Sequence, residues 1–124
     1  MGQIIRSYRD KAAFQEDRFN AVMLGQDENT KALLVCCEPG QYIPVHRPGV
    51  AVTFVVLEGE GTLVAGEKEE KVGPGAVAFA AAGEERGLKA ETRLLALHVV
   101  APPPTGEDHA GVVARLEQGV WRQP

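Results

Sequence analysis

The chain has 124 residues, the usual size of one compact domain and too short for two ordinary ones. Its hydrophobic share of 44% and charged share of 24% are those of a folding globular chain, which excludes disorder and fibrous repeats. The net charge of -4 excludes the broad electropositive surface of a non-specific nucleic-acid binder. No apolar run reaches the ~18 residues of a bilayer span, and the opening Met1-Gly-Gln-Ile-Ile-Arg lacks a signal-peptide core, so no membrane partner and a cytoplasmic location are expected.

In chain order, Ile4 and Ile5 read as an edge strand within residues 3–7, and Asp10 to Gln15 as a short helical turn. Short apolar runs of strand length follow: Ala21 to Leu24, Ala32 to Cys37, Tyr42 to Val45, Val50 to Leu57, Thr62 to Val64, Ala76 to Ala80 and Leu94 to Val100. Turn-forming segments separate them, among them Gln26-Asp-Glu-Asn, Glu38-Pro-Gly, Glu58-Gly-Glu-Gly, Gly73-Pro-Gly and Ala82-Gly. Such spacing predicts an all-β barrel or sandwich over about residues 20–104.

The prolines at 102–104 supply no backbone donors and end the sheet there. Beyond them, Thr105-Gly-Glu-Asp reads as a capping box, and Val112, Val113, Leu116 and Val120 recur at helical spacing up to Gly119. A C-terminal helix over about 106–119 follows, packed on the outside. His109 near its start and Trp121 just beyond its end read as surface or packing residues. The adjacent Cys36 and Cys37 point to opposite faces of a strand, so no disulfide framework exists.

Three stretches carry a family resemblance: Pro39-Gly40 through His46, Val55-Val-Leu-Glu-Gly-Glu-Gly61, and Val72-Gly-Pro-Gly through Gly83. Together they resemble the cupin superfamily, which implies a double-stranded jelly-roll β-barrel around one interior site. The family's first motif lays its opening glycine on Gly40, its first histidine on His46 and its last glycine on Gly59, while Pro48 and Val52 stand where a second histidine and a glutamate are usual. In the second motif, Gly75 and Gly83 fit, while Ala81, Arg86 and Ala90 replace a proline, a histidine and an asparagine. The four customary metal positions thus read His46, Pro48, Val52 and Arg86. A guanidinium stays protonated and repels a cation, so the set is a degenerate metal site and no cofactor is expected.

What remains suits a metal-independent binder of a small acidic metabolite, with His46 and Arg86 as polar anchors and Phe54 and Tyr42 as apolar lining. Each has a plainer reading: His46 bonded to backbone, Arg86 paired with Glu58, Glu84 or Glu85 at the surface, and the aromatics filling the core. Two alternatives stand beside the binder. One is a metal-dependent isomerase or dioxygenase using a transition metal on His46 and His98, with Cys36 or Cys37 as third donor; it requires His98 to face inward with Leu94 and Ala96. The other is a structural or regulatory module whose interior is filled by side chains. The resemblance also implies a homodimer, in which exchange of the arm at 3–7 would cover its open edge.

Overall fold

The computed structural model describes residues 2–104 and 106–122. Among these described residues, nine strands form two antiparallel sheets: β1 Asn20–Gln26, β2 Lys31–Cys37, β3 Tyr42–His46, β4 Ala51–Glu58, β5 Gly61–Ala65, β6 Lys68–Val72, β7 Val77–Ala80, β8 Arg86–Ala90 and β9 Leu94–Ala101. One sheet has the order β1-β2-β9-β4-β7 and the other β3-β8-β5-β6. The architecture is the expected all-β jelly roll, built as a sandwich whose two sheets are not closed into one barrel. Helix α1, Gly106–Gln118, packs against β3. Thr105, read as its cap, lies outside the described residues, as does the side chain of His109.

Alternation along the strands builds the core. Val52, Phe54 and Val56 on β4 and Leu94, Ala96 and Val100 on β9 face inward, meeting Ile43, Leu63 and Leu88 from the opposite sheet. Removing this apolar surface from water is the main driving force for the fold. Leu34, Cys36 and Leu95 face the other way and are buried by Tyr8, Ala12 and Phe14. The segment around residues 8–14 therefore folds back over the outer face of this sheet. The edge strand expected at 3–7 does not form: those residues are irregular, and the helical turn is a 3-10 turn at Tyr8–Lys11. Glu58 pins it, accepting hydrogen bonds from the Tyr8 hydroxyl at 2.7 Å and Arg9 Nε at 2.8 Å.

Two strands escape the sequence pattern. In β6, Lys68 to Lys71 are all exposed and charged, which suits an edge strand. In β8, Arg86, Gly87, Leu88 and Ala90 are all buried, because its inner face meets the core and Trp121 covers Gly87 on its outer face. A Cβ at Gly87 would lie 2.8 Å from Val45 Cγ2 and 3.2 Å from Trp121 Cη2. Trp121 also meets the Tyr42 ring edge-on at 5.9 Å.

Candidate functional site

A bulge in β3 creates the site. Ile43 pairs with Leu88 and His46 with Arg86, so β3 spends three residue steps where β8 spends two. Without the extra residue, Ile43 and His46 would face opposite ways; with it, both turn into the space between the sheets. The bulge also takes Val45 out of the ladder. Its N–H donates to the Trp121 carbonyl at 2.8 Å and its carbonyl accepts from Arg115 Nη1 at 3.1 Å. The C-terminal segment thereby satisfies a backbone that would otherwise be buried unpaired. Proline at 44 suits the position, since β3 is an edge strand.

Within the bulge, His46 Nδ1 lies 2.7 Å from the Pro44 carbonyl oxygen. A carbonyl only accepts, so Nδ1 carries the proton and Nε2 is the atom left for other contacts. Arg86 is 2% exposed. Its Nη2 donates to the Ala81 carbonyl at 2.8 Å, and both Nε and Nη2 reach the Glu84 carbonyl at 3.3 Å. These bonds brace the turn between β7 and β8 and fix the guanidinium plane. Of the surface carboxylates named for Arg86, Glu58 holds Tyr8 and Arg9, Glu85 faces Arg47 and Arg122, and a Glu84 oxygen caps the Ala81 N–H.

His98 faces inward with Leu94 and Ala96, an orientation the sequence left open because Leu95, Leu97 and Val99 are just as apolar. It stacks on Phe54, with ring centroids 4.2 Å apart and planes inclined by 26°. Burial, reinforced by electrostatic interaction with His46 and Arg86, pushes its pKa down to about 3, so the ring is neutral at ordinary pH. Its Nε2 is buried and has no hydrogen-bond partner among the described residues.

These side chains border a cleft of about 660 Å³, within the range of small-molecule sites. Its walls are largely apolar, from Phe19, Leu33, Val35, Ile43, Val50, Val100 and Val112, and its basic groups are Arg18, Lys31, His46, Arg86 and His98. No carboxylate occurs among the described lining residues, although the chain as a whole is acidic. Lys31 was legible, since it shares a strand face with Leu33, Val35 and Cys37; Arg18 lies outside any strand and gave no signal. Of the expected apolar lining, neither Phe54 nor Tyr42 borders this cleft. Phe54 is fully buried behind His98, and Tyr42 sits on the outer face against Trp121.

A metal fits this arrangement poorly. Pro48 and Val52 offer no donor, Arg86 is a cation, and no group of three His, Cys, Asp or Glu side chains able to hold a metal occurs among the described residues. The cysteines do not repair the set. Cys36 lies on the outer face under Phe14. Cys37 faces inward but pairs with Leu94, four strand positions from Leu33, the partner of His98; that is ~13 Å at strand rise. Burial also pushes the Cys37 thiol up to about 12, away from the thiolate a metal requires.

The sequence pattern of the Cupin domain family matches residues 33–100. The chain belongs to the cupin family. This cupin is 32% identical to the protein TT1209 from Thermus thermophilus, with a TM-score of 0.74 over 79% of this chain and 96% of that one. It is 29% identical to an RmlC-like cupin protein from Desulfovibrio desulfuricans, with a TM-score of 0.67 over 83% and 96%. KdgF from Halomonas sp., 16% identical with a TM-score of 0.68 over 76% and 91%, shares the fold. Among curated proteins none matches the sequence. No helix among the described residues of this cupin is long and apolar enough to cross a membrane.

Proposed function

We propose that this cupin holds a small organic acid between its sheets without a metal ion. The observation that carries the reading is the cleft lining: Arg18, Lys31 and Arg86 supply fixed positive charge in largely apolar walls, with no carboxylate among the described residues there. Arg86, held in plane by the Ala81 and Glu84 carbonyls, is the fixed charge, while Lys31 at the rim, half-buried, meets the entering acid.

The test is a thermal-shift screen of small mono- and dicarboxylates on untagged protein, beside Lys31→Glu. Binding to the native state alone raises Tm with ligand concentration. The proposal expects such a rise for at least one acid and its loss in Lys31→Glu. No rise for any acid overturns it.

A second reading adds chemistry at the same place. His46 lines the cleft and donates Nδ1–H to the Pro44 carbonyl, which makes Nε2 its basic nitrogen; that is the tautomer a general base uses. Turnover of a bound acid that disappears in His46→Gln while binding persists would establish it.

The homodimer belongs here as well. Val77 and Phe79 on edge strand β7 are 68% and 63% exposed, and residues 72–83 carry no charge. The other edges are guarded: β6 by lysine and glutamate, β3 by Pro44 and the C-terminal segment, and β1 by a bulge at Met23. Pairing of two β7 strands about a two-fold axis would cover the open one. Light scattering should give a dimer mass for the native chain and a monomer for Phe79→Lys.

A further inference from the structure

Along the inner face of β9 the order is Leu94, Ala96, His98, Val100, and His98 interrupts a continuous apolar stripe. A leucine there would pack against Phe54 with no polar atom to satisfy. The imidazole instead is 9% exposed, lines the cleft, and keeps Nε2 buried with no hydrogen-bond partner among the described residues. Such a group lowers stability, and in a native protein it calls for a partner from outside the chain or a functional role.

Three ligand groups are candidates for the missing bond. An ammonium group would be repelled by Arg18, Lys31 and Arg86, the fixed cations of the same cleft. A carboxylate only accepts, and those cations already attract it more strongly than a neutral ring does. A hydroxyl both donates and accepts, so it completes either tautomer of a neutral imidazole without requiring charge.

We infer that His98 reads an uncharged hydroxyl on the acid held in the cleft, so that the ligand class is a hydroxy acid. The inference rests on the acid-binding reading proposed above. His98 is then the specificity-determining residue, and the cationic groups supply affinity common to all acids.

The test is calorimetric titration of matched pairs that differ by one hydroxyl: glycolate with acetate, lactate with propionate, and malate with succinate. Native protein should prefer the hydroxy member of at least one pair by about tenfold, the value of one net hydrogen bond. His98→Leu should bring that ratio close to one while acid binding persists. The ring ¹⁵N resonance of His98 in native protein gives a readout that needs no variant, and it should move with the hydroxy member and not with its partner. Acids that bind with a ratio near one, or a preference that survives His98→Leu, overturn this inference and leave the acid-binding reading standing. If no acid binds, the acid-binding reading falls and this inference with it.

Discussion

The His98 imidazole lies 4.2 Å from the Phe54 ring, nearly parallel to it, and forms part of the cleft wall that Phe54 itself does not reach. The stack fixes the ring plane from behind, and the buried Nε2 is left without a hydrogen bond among the described residues. Two consequences for stability follow from this pair.

The first concerns the cost of the polar edge. Removing a buried polar atom that has no partner recovers about 1–3 kcal/mol. His98→Leu is expected to raise Tm by about 3 °C or more for a chain of this size, measured by calorimetry without ligand. A fall of that size would mean that the ring is structurally satisfied.

The second concerns acid. An unfolded histidine titrates near its ordinary value of 6.5, whereas His98 in the folded chain is pushed down to about 3. Between those values the unfolded state binds the extra proton, so stability falls as pH drops from 6.5 towards 3. The limiting slope is about 1.4 kcal/mol per pH unit. Denaturant unfolding of native protein should lose stability across this window more steeply than His98→Leu. Parallel curves would contradict the assignment.

The N-terminal arm makes a separate prediction. Cys36 is buried beneath Tyr8, Ala12 and Phe14, while Cys37 belongs to the inner core. Phe14 also carries the Arg93 guanidinium 3.7 Å above its ring centroid. Phe14→Ala should open the arm locally and raise the labelling rate of Cys36 by about tenfold or more, leaving Cys37 protected; local opening needs less free energy than global unfolding. Mass spectrometry of the labelled peptide separates the two cysteines. Equal acceleration at both would mean that the arm and core open together.

Much of this arrangement was legible in the sequence. The apolar runs mark seven of the nine strands, and the glycine-bearing turns mark their reversals: Gly40, Gly59, Gly75 and Gly83 all have positive φ. The orientation of His98 was not legible, because both faces of β9 are apolar in sequence. The unread parts have physical causes. β6 is charged throughout because an edge strand has solvent on both sides, and β8 shows no alternation because Trp121 buries the face that would otherwise be polar. Ile4 and Ile5 look like a strand, yet Ile4 is 92% exposed and Tyr8 and Phe14 do the covering. Sequence spacing cannot reveal the β3 bulge, because its effect is to let Ile43 and His46 share a face despite odd separation.

Backbone geometry distinguishes two of the turn glycines. A Cβ on Gly40 meets nothing within 4 Å, so Gly40→Ala incurs only the left-handed conformation at φ +85, about 1–2 kcal/mol. A Cβ on Gly59, at φ +87, falls 2.1 Å from the Arg93 carbonyl oxygen. Gly59→Ala should therefore destabilise at least twice as much as Gly40→Ala in denaturant titrations. Similar losses at both positions would contradict the close approach of the β4–β5 turn to Arg93.

The central claim is a cleft whose fixed cations receive an acid without metal. The most direct measurement is nuclear magnetic resonance titration of isotopically labelled, untagged and chelator-treated protein with the carboxylate panel, following side-chain signals of Arg86 and His98 and backbone signals of Lys31 and Ile43. Saturable shifts concentrated at these positions and unaffected by added zinc, manganese or iron are the predicted result. Shifts that scatter over the surface, or that appear only once a metal is bound at one per chain and vanish in His46→Ala, would contradict it.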